Sequence, residues 1–399
     1  MKSVHDSPLH HPWDDFIVSS LHDLEAKGLR RRLKSVTTPV STRCLIEGRE
    51  LLLFCTNDYL GLANHPRMKR AAAEAAQKWG TGSGASRLIS GNISLYVALE
   101  KECASFKETE SAVVFSSGYA TNMGVISSLL GADGLILSDR LNHASIVDAC
   151  RLSKARVVVY PHGDVAAVEA TLRSRDNKGK ALVVTDGVFS MDGDLAPLPD
   201  LVKVCAEADA LLLVDDAHGT GVLGPKGGGS LDHFGLRPKG IIQVGTFSKA
   251  LGSLGGFVAA TSLITEYLVN RARSLIYSTA LPPAILAANR EALCIVREDT
   301  SLRFRLRRLT HYLKKQMASL GLAIPDQPTP IFPVIIGNAQ ETVRISNSLI
   351  EKGIFVPPIR PPTVPEGQSR LRISLSALHQ EQDIDRLVQA LGDHFRRGA

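Results

Sequence analysis

The sequence predicts an α/β protein built on a mainly parallel, seven-stranded sheet, with a smaller α+β domain at its C-terminal end and an N-terminal arm. Three observations carry that expectation. Seven short apolar runs recur between about residue 110 and residue 260, without the in/out alternation of half-exposed strands. Amphipathic helical stretches separate them, and strand then helix, repeated, means parallel strands joined by right-handed crossovers. After about residue 285 the texture becomes helix-rich and basic.

Taken in order, residues 1–54 read as the arm and a helix, 55–288 as a large domain and 289–399 as a small one. PRMKRAAAEAAQKWG places Pro66 in a first helical turn and Gly80 just past a helix end. Pro lacks only an N–H that the first turn leaves unused, and Gly adopts the left-handed stop without strain. The runs AVVF (112–115), GLILS (134–138), RVVVY (156–160), ALVVTD (181–186), ALLLVDD (210–216), IIQVGT (241–246) and GGFVAA (255–260) read as strands buried on both faces. YATNMGVISSLLG and LPDLVKVCAEADA between them read as amphipathic helices. Beyond lie helical AILAANREALCIVRE and LRFRLRRLTHYLKKQMASLG, strands IFPVIIG and LRISLSA, and a last helix, EQDIDRLVQALGDHF. The Pro-rich IRPPTVPEGQSR between the strands is a rigid loop.

At 399 residues, 44% hydrophobic and 22% charged, the chain is an ordinary globular protein with room for a large core. No apolar run reaches the roughly 18 residues of a membrane span, and the polar N-terminus lacks a secretory core. Six cysteines without CxxC pairs suit reduced core thiols in a cytoplasmic enzyme better than a disulfide scaffold or a zinc site. A net charge of +6 is spread along the chain and only 5% of residues are aromatic, which disfavours nucleic acid and favours a small anionic ligand or acidic partner.

Open parallel sheets place ligands beyond the carboxyl ends of their strands. Ser117, Gly118 and Tyr119 lead from AVVF into a helix, where backbone amides and the helix dipole favour phosphate; a bare strand–helix turn is the competing reading. Asn142 and His143 follow GLILS, and Ser190, Asp192 and Asp194 follow ALVVTD, where turn capping explains the carboxylates. Asp215 ends a strongly apolar strand, a costly place for a carboxylate unless a cation meets it, and His218 comes three residues later. No further ligands accompany that pair, so a metal is disfavoured. Lys249, between Ser248 and a Gly-punctuated apolar segment, is badly placed for a solvated lysine. A desolvated amine has a lowered pKa and forms Schiff bases, and Thr246 offers a hydroxyl to phosphate. Together these ends supply what pyridoxal phosphate needs: an amine for its aldehyde, a carboxylate for its ring nitrogen and donors for its phosphate.

NDYLGL (57–62), GTGSGASR (80–87), SSGYATN (116–122), LNHASI (141–146), DGVFSMDGDLAPL (186–198), VDDAHGTGVLG (214–224), TFSKALG (246–252), IYSTALPP (276–283) and IRPPTVPEGQSRLRISLSALH (359–379) follow one another along the chain. In that order they resemble the α-oxoamine synthase family of pyridoxal-phosphate enzymes. The resemblance implies the fold type I aminotransferase architecture and a decarboxylating condensation of an amino acid with an acyl thioester. The Pro-rich run favours the biotin-pathway branch, which joins L-alanine to a pimeloyl group on coenzyme A or acyl carrier protein. It implies that Lys249 holds the cofactor and removes the Cα proton, that Asp215 pairs with the ring nitrogen, and that His143 stacks on the ring and bounds the substrate pocket. Ser190 and His218 would surround the phenolic oxygen, with Gly118, Tyr119 and Thr246 also on the cofactor. Arg30 and Thr363 match substrate contacts, and Arg372 the holder of the amino acid's carboxylate. The family's site lies in a homodimer interface, where Ser278 and Thr279 match residues given to the neighbour's phosphate. About eight His- and Pro-rich residues precede the family's usual start.

Three rivals keep separate signatures. A sister synthase joins glycine to acetyl- or succinyl-CoA, a transaminase or aldolase releases no CO2, and a nucleotide-binding module forms no Schiff base. The basic run Arg303, Arg305, Arg307, Arg308, Lys314 and Lys315, with Arg30, Arg31, Arg32 and Lys34, reads first as a solvated helix face. The competing reading is an attractor for the donor's phosphates or an acidic carrier.

Overall fold

The computed structural model describes residues 11–175, 179–237, 240–322 and 324–395. The His- and Pro-rich start of the arm lies outside the described residues. Strands run along the chain as β1 (Arg43–Ile46), β2 (Arg49–Leu53), β3 (Ser111–Phe115), β4 (Leu135–Asp139), β5 (Arg156–Tyr160), β6 (Ala181–Asp186), β7 (Leu211–Asp215), β8 (Ile241–Thr246) and β9 (Gly256–Ala260). After them come β10 (Ile331–Gly337), β11 (Ile354–Phe355), β12 (Pro358–Ile359) and β13 (Ser369–Ser374).

β3 to β9 form one seven-stranded sheet in the order β3-β9-β8-β7-β6-β4-β5. Its pairings are parallel except at β9, which runs antiparallel to both β3 and β8. Both faces are covered, as the unbroken apolar runs require. Leu213, Val184 and Val244 face a core shared with Val125, Ile126 and Ile146, and Leu212, Val214 and Val183 face one shared with Leu198, Leu201 and Val168. One expectation fails here. RVVVY forms the edge strand β5 rather than a doubly buried one, and Val159 is 61% exposed.

The helix Pro66–Trp79 begins at Pro66 behind a His65 side-chain cap and stops at Gly80 with φ 86°. It packs against the helix Pro283–Glu298. The C-terminal strands form a second sheet, β10-β13-β12, while the hairpin β1–β2 joins β11 in a third. Ser374 N donates to Phe54 O at 2.8 Å and Ala377 N to Tyr59 O at 2.7 Å, which docks the end of β13 and the residues after it onto the stretch 54–59. Arg372 is thereby brought to the carboxyl edge of the large sheet. Among the described residues no helix is long and apolar enough to cross a membrane.

Candidate active site

Asp186 and Asp215 are register partners at the ends of β6 and β7, so two carboxylates stand side by side at the sheet edge. Asp215, 5% exposed, accepts from Asn122 Nδ2 at 2.6 Å and from Ala217 N at 3.0 Å. The second Nδ2 hydrogen of Asn122 goes to Ser145 Oγ at 2.9 Å, and that oxygen lies 2.8 Å from His143 Nδ1. Ser145 N also donates to Nδ1, so the neutral ring carries its proton on Nε2. A relay Asp215–Asn122–Ser145–His143 thus fixes the imidazole. His143 N donates to Asp186 Oδ2 at 2.7 Å. Burial, reinforced by the Asp215 charge, pushes the Asp186 pKa well up.

Lys249 sits in the loop between β8 and β9, half-buried. Because β9 is reversed, this loop is a hairpin and not a crossover. Thr246 faces Gly256 in register, Phe247 N donates to Gly255 O, and Gly252 N to Lys249 O. Burial lowers the Lys249 pKa, against the pull of Asp215 and Asp186 and with the help of Arg372. Thr246 Oγ1 donates to Gly255 O at 2.8 Å and accepts from Ser248 N, so its hydroxyl proton braces the hairpin. A Cβ on Gly256 would come within 2.7 Å of Gly118 N, so glycine lets the SSGY turn abut the hairpin. Ser117 caps the helix Gly118–Leu129, its side chain accepting from Ala120 N.

His218 Nδ1 lies 2.7 Å from the Tyr59 hydroxyl. Arg372 Nη2 donates to that oxygen at 3.2 Å, and the Tyr59 O–H has Asn57 Oδ1 at 3.3 Å as well as His218 Nδ1 within reach. Burial, then the charges of Lys249 and Arg372, drive the His218 pKa well down, and burial also lowers that of His143. Both rings are neutral bases near pH 7. Arg372 Nε donates to Ser190 O at 2.5 Å and Nη1 to Asn57 Oδ1 at 3.3 Å. Three of its five N–H groups are used, and one remains on each Nη, the fork that suits a carboxylate.

The structure therefore draws Lys249, Asp215, His143, His218, Thr246, Gly118, Ser190 and Arg372 to one edge. Other residues stand apart. The Tyr119 side chain, 47% exposed, donates to Asp148 on the neighbouring helix. Ser278 and Thr279 run beside the 83–87 segment through a Ser86–Thr279 bridge, and no hydrogen bond ties them to the Lys249 cluster among the described residues. Arg30 pairs with Glu25 at 3.2 Å beyond the helix Pro12–Ala26, and Thr363 is exposed. Their segments nevertheless meet, since Arg31 donates to Pro361 O and Arg360 to Gly28 O.

The basic run is not a uniform wet face. Arg303 is 5% exposed and donates to Val296 O and Pro225 O, Arg305 to His379 O, and Arg307 to Gly224 O. These guanidiniums staple their helix to neighbouring loops. Sequence reasoning also missed Asn122, Tyr59, Asp186 and Lys107. Lys107 Nζ and Asp216 Oδ2 form an ion pair at 2.8 Å with both side chains 0% exposed. Thr220 Oγ1 and Gly228 O complete the lysine's coordination, which anchors the loop that carries His218.

This residue set fits pyridoxal phosphate. Asn122 Oδ1 is buried without a partner beside Asp215, where a protonated ring nitrogen would seek acceptors. The amine stands within electrostatic reach of that carboxylate.

Residues 49–391 match the family described as aminotransferase class I and II, and the chain belongs to it. Relatives narrow the placement. An 8-amino-7-oxononanoate synthase of Geobacter sulfurreducens is 50% identical, covering 94% of this chain and 96% of its own. That of Methylococcus capsulatus is 47% identical over 94% and 97%. Among solved structures, serine palmitoyltransferase of Sphingomonas wittichii superposes with a TM-score of 0.91 at 31% identity, covering 98% of this chain and 99% of that one. An 8-amino-7-oxononanoate synthase of Francisella tularensis gives 0.76 at 31% identity, covering 87% and 98%. Within the aminotransferase family, the chain belongs with the 8-amino-7-oxononanoate synthases.

Proposed function

We propose that the protein uses pyridoxal phosphate to condense L-alanine with a pimeloyl thioester, giving 8-amino-7-oxononanoate, CO2 and the free carrier. One observation carries this reading. A lysine of lowered pKa, a braced carboxylate and a half-satisfied guanidinium share one sheet edge. When bound, the cofactor supplies an electron sink for the carbanion at the amino acid's Cα. Lys249 and Asp215 would hold its two ends of reactivity, His143 its face, Ser190 and His218 its phenolic oxygen, and Gly118, Tyr119 and Thr246 the rest.

The two free N–H groups of Arg372 orient alanine's carboxylate and so aim the Cα–H bond. Lys249 Nζ, neutral more readily than an exposed lysine, takes the Cα proton and returns one after CO2 departs. Arg30 and Thr363 would meet the acyl chain, delivered on coenzyme A or acyl carrier protein. A cytoplasmic homodimer would complete the site, each copy lending Ser278 and Thr279 to the other. Leu88, Ile89 and Tyr277 support that arrangement, because large apolar side chains stand exposed beside both residues.

Product analysis with alanine and pimeloyl-CoA or pimeloyl-carrier protein tests the reading, with glycine as the control. The expected product is 8-amino-7-oxononanoate from alanine, and none from Lys249→Ala, which should also lose the borohydride-trapped cofactor adduct. Near-normal condensation by that variant would sink the assignment.

A further inference from the structure

His162 has no place in the chemistry above. It lies between β5 and the helix Val165–Arg173, and its ring spans two carboxylates. Nδ1 is 3.0 Å from Asp139 Oδ1, and Nε2 is 2.7 Å from Asp194 Oδ2. A neutral imidazole has one N–H and cannot donate at both ends, so the bridging ring is an imidazolium. It is seated edge-on against Phe189, with centroids 4.4 Å apart and planes at 87°.

The two carboxylates belong to the two loops that frame the site. Asp139 ends β4, and its side chain also accepts from Leu141 N at 2.8 Å and Gly163 N at 2.9 Å. It therefore shapes the short path from β4 to His143. Asp194 closes a turn in which Phe189 N donates to Asp194 O and Gly193 N to Phe189 O. The same turn receives Arg372 at Ser190 O and Arg370 at Asp192. Gly193 has φ 76°, and a Cβ there would meet Ile331 O at 2.5 Å, so the turn is pressed against β10. His162 holds it at Asp194.

We propose that His162 is a positioning residue: as a cation clipped between Asp139 and Asp194, it locks the His143 loop to the Ser190 turn and thereby fixes Arg372 for the amino acid's carboxylate. The proposal rests on the condensation assigned above. Its signature is selectivity. Alanine, held by Arg372, should feel the loss of the clip more than the thioester does.

The test uses holoenzyme of wild type, His162→Gln and His162→Arg, titrated with alanine by visible absorbance and then assayed with both substrates. His162→Gln should weaken alanine binding and raise its KM about tenfold, the scale of one lost charged hydrogen bond, with the thioester KM little changed. His162→Arg keeps a cation with donors on two sides and should recover most of the loss. If His162→Gln does not fold, Asp194→Asn removes one link and should show the same alanine-selective shift. An alanine KM unchanged within error, or equal losses for both substrates without rescue by Arg, overturns the proposal. A wild-type enzyme whose spectrum ignores alanine overturns the assigned reaction itself, and the proposal with it.

Discussion

Asp215 can end an apolar strand because Asn122 and the Ala217 amide meet its two oxygens. Replacing it by Asn keeps the shape but removes the charge that would hold a ring nitrogen protonated. Asp215→Asn should slow hydrogen–deuterium exchange at alanine Cα on the order of a hundredfold, the scale of losing one preorganised electrostatic contact. Unchanged exchange with a normal melting temperature would reduce Asp215 to a turn cap. Lys249, Asp215 and His218 were legible in the sequence because each polar group lies at, or three residues past, the end of an apolar strand. Asn122 and Tyr59 were not, although both lie within recognised runs. Their partners Asp215 and His218 are 93 and 159 positions away, and a buried amide or phenol carries no local sign of so distant a partner.

Elements obey the same divide. The strand cores and the Pro66–Trp79 helix could be placed from periodicity and end signals, which are local. The edge position of β5 could not, since strand order depends on which crossovers stack where. Nor could the burial of Arg303, whose helix looks amphipathic in the ordinary way until the 224–225 loop closes over it. Lys107 belongs to this scale, because it pins the loop after β7 through Asp216, Thr220 and Gly228. Lys107→Met should cost about 3–5 kcal/mol, since it strands a fully buried carboxylate. Chemical denaturation measures it, and a loss below about 1 kcal/mol, the size of a surface pair, would refute the anchoring role. A second element-scale expectation concerns pH. Asp139 and Asp194, the charged groups facing His162, raise its pKa to about 10, above an unfolded value of about 6.5. The clip's stabilisation is then complete below pH about 6.5 and lost as pH climbs toward 10. Denaturation midpoints should fall more steeply with pH in wild type than in His162→Gln across that window; parallel curves would contradict it.

Across the whole molecule, the proposed site would be completed by a second copy: Ser278 and Thr279 make no hydrogen bond to the Lys249 cluster among the described residues, and beside them Leu88 is 53%, Ile89 80% and Tyr277 72% exposed. Ile89→Glu should put a charge into the inferred dimer contact, shift the protein toward monomer in sedimentation and abolish most turnover. A fully active monomer would separate the site from the assembly. Sequence comparison supplied this expectation, whereas periodicity alone is silent on what a surface touches. The reversed strand β9 has a consequence for anyone re-engineering the pocket. Crossovers elsewhere in the sheet can take up extra residues at their surface ends, but the loop 247–255 is tied at both ends to neighbouring strands. Adding or deleting one residue there would slip β9 against β8 and turn Val258 and Phe257 to the wrong faces. Libraries that retune the enzyme should therefore hold this segment's length constant and vary only what protrudes from it, namely Ser248 and Leu254.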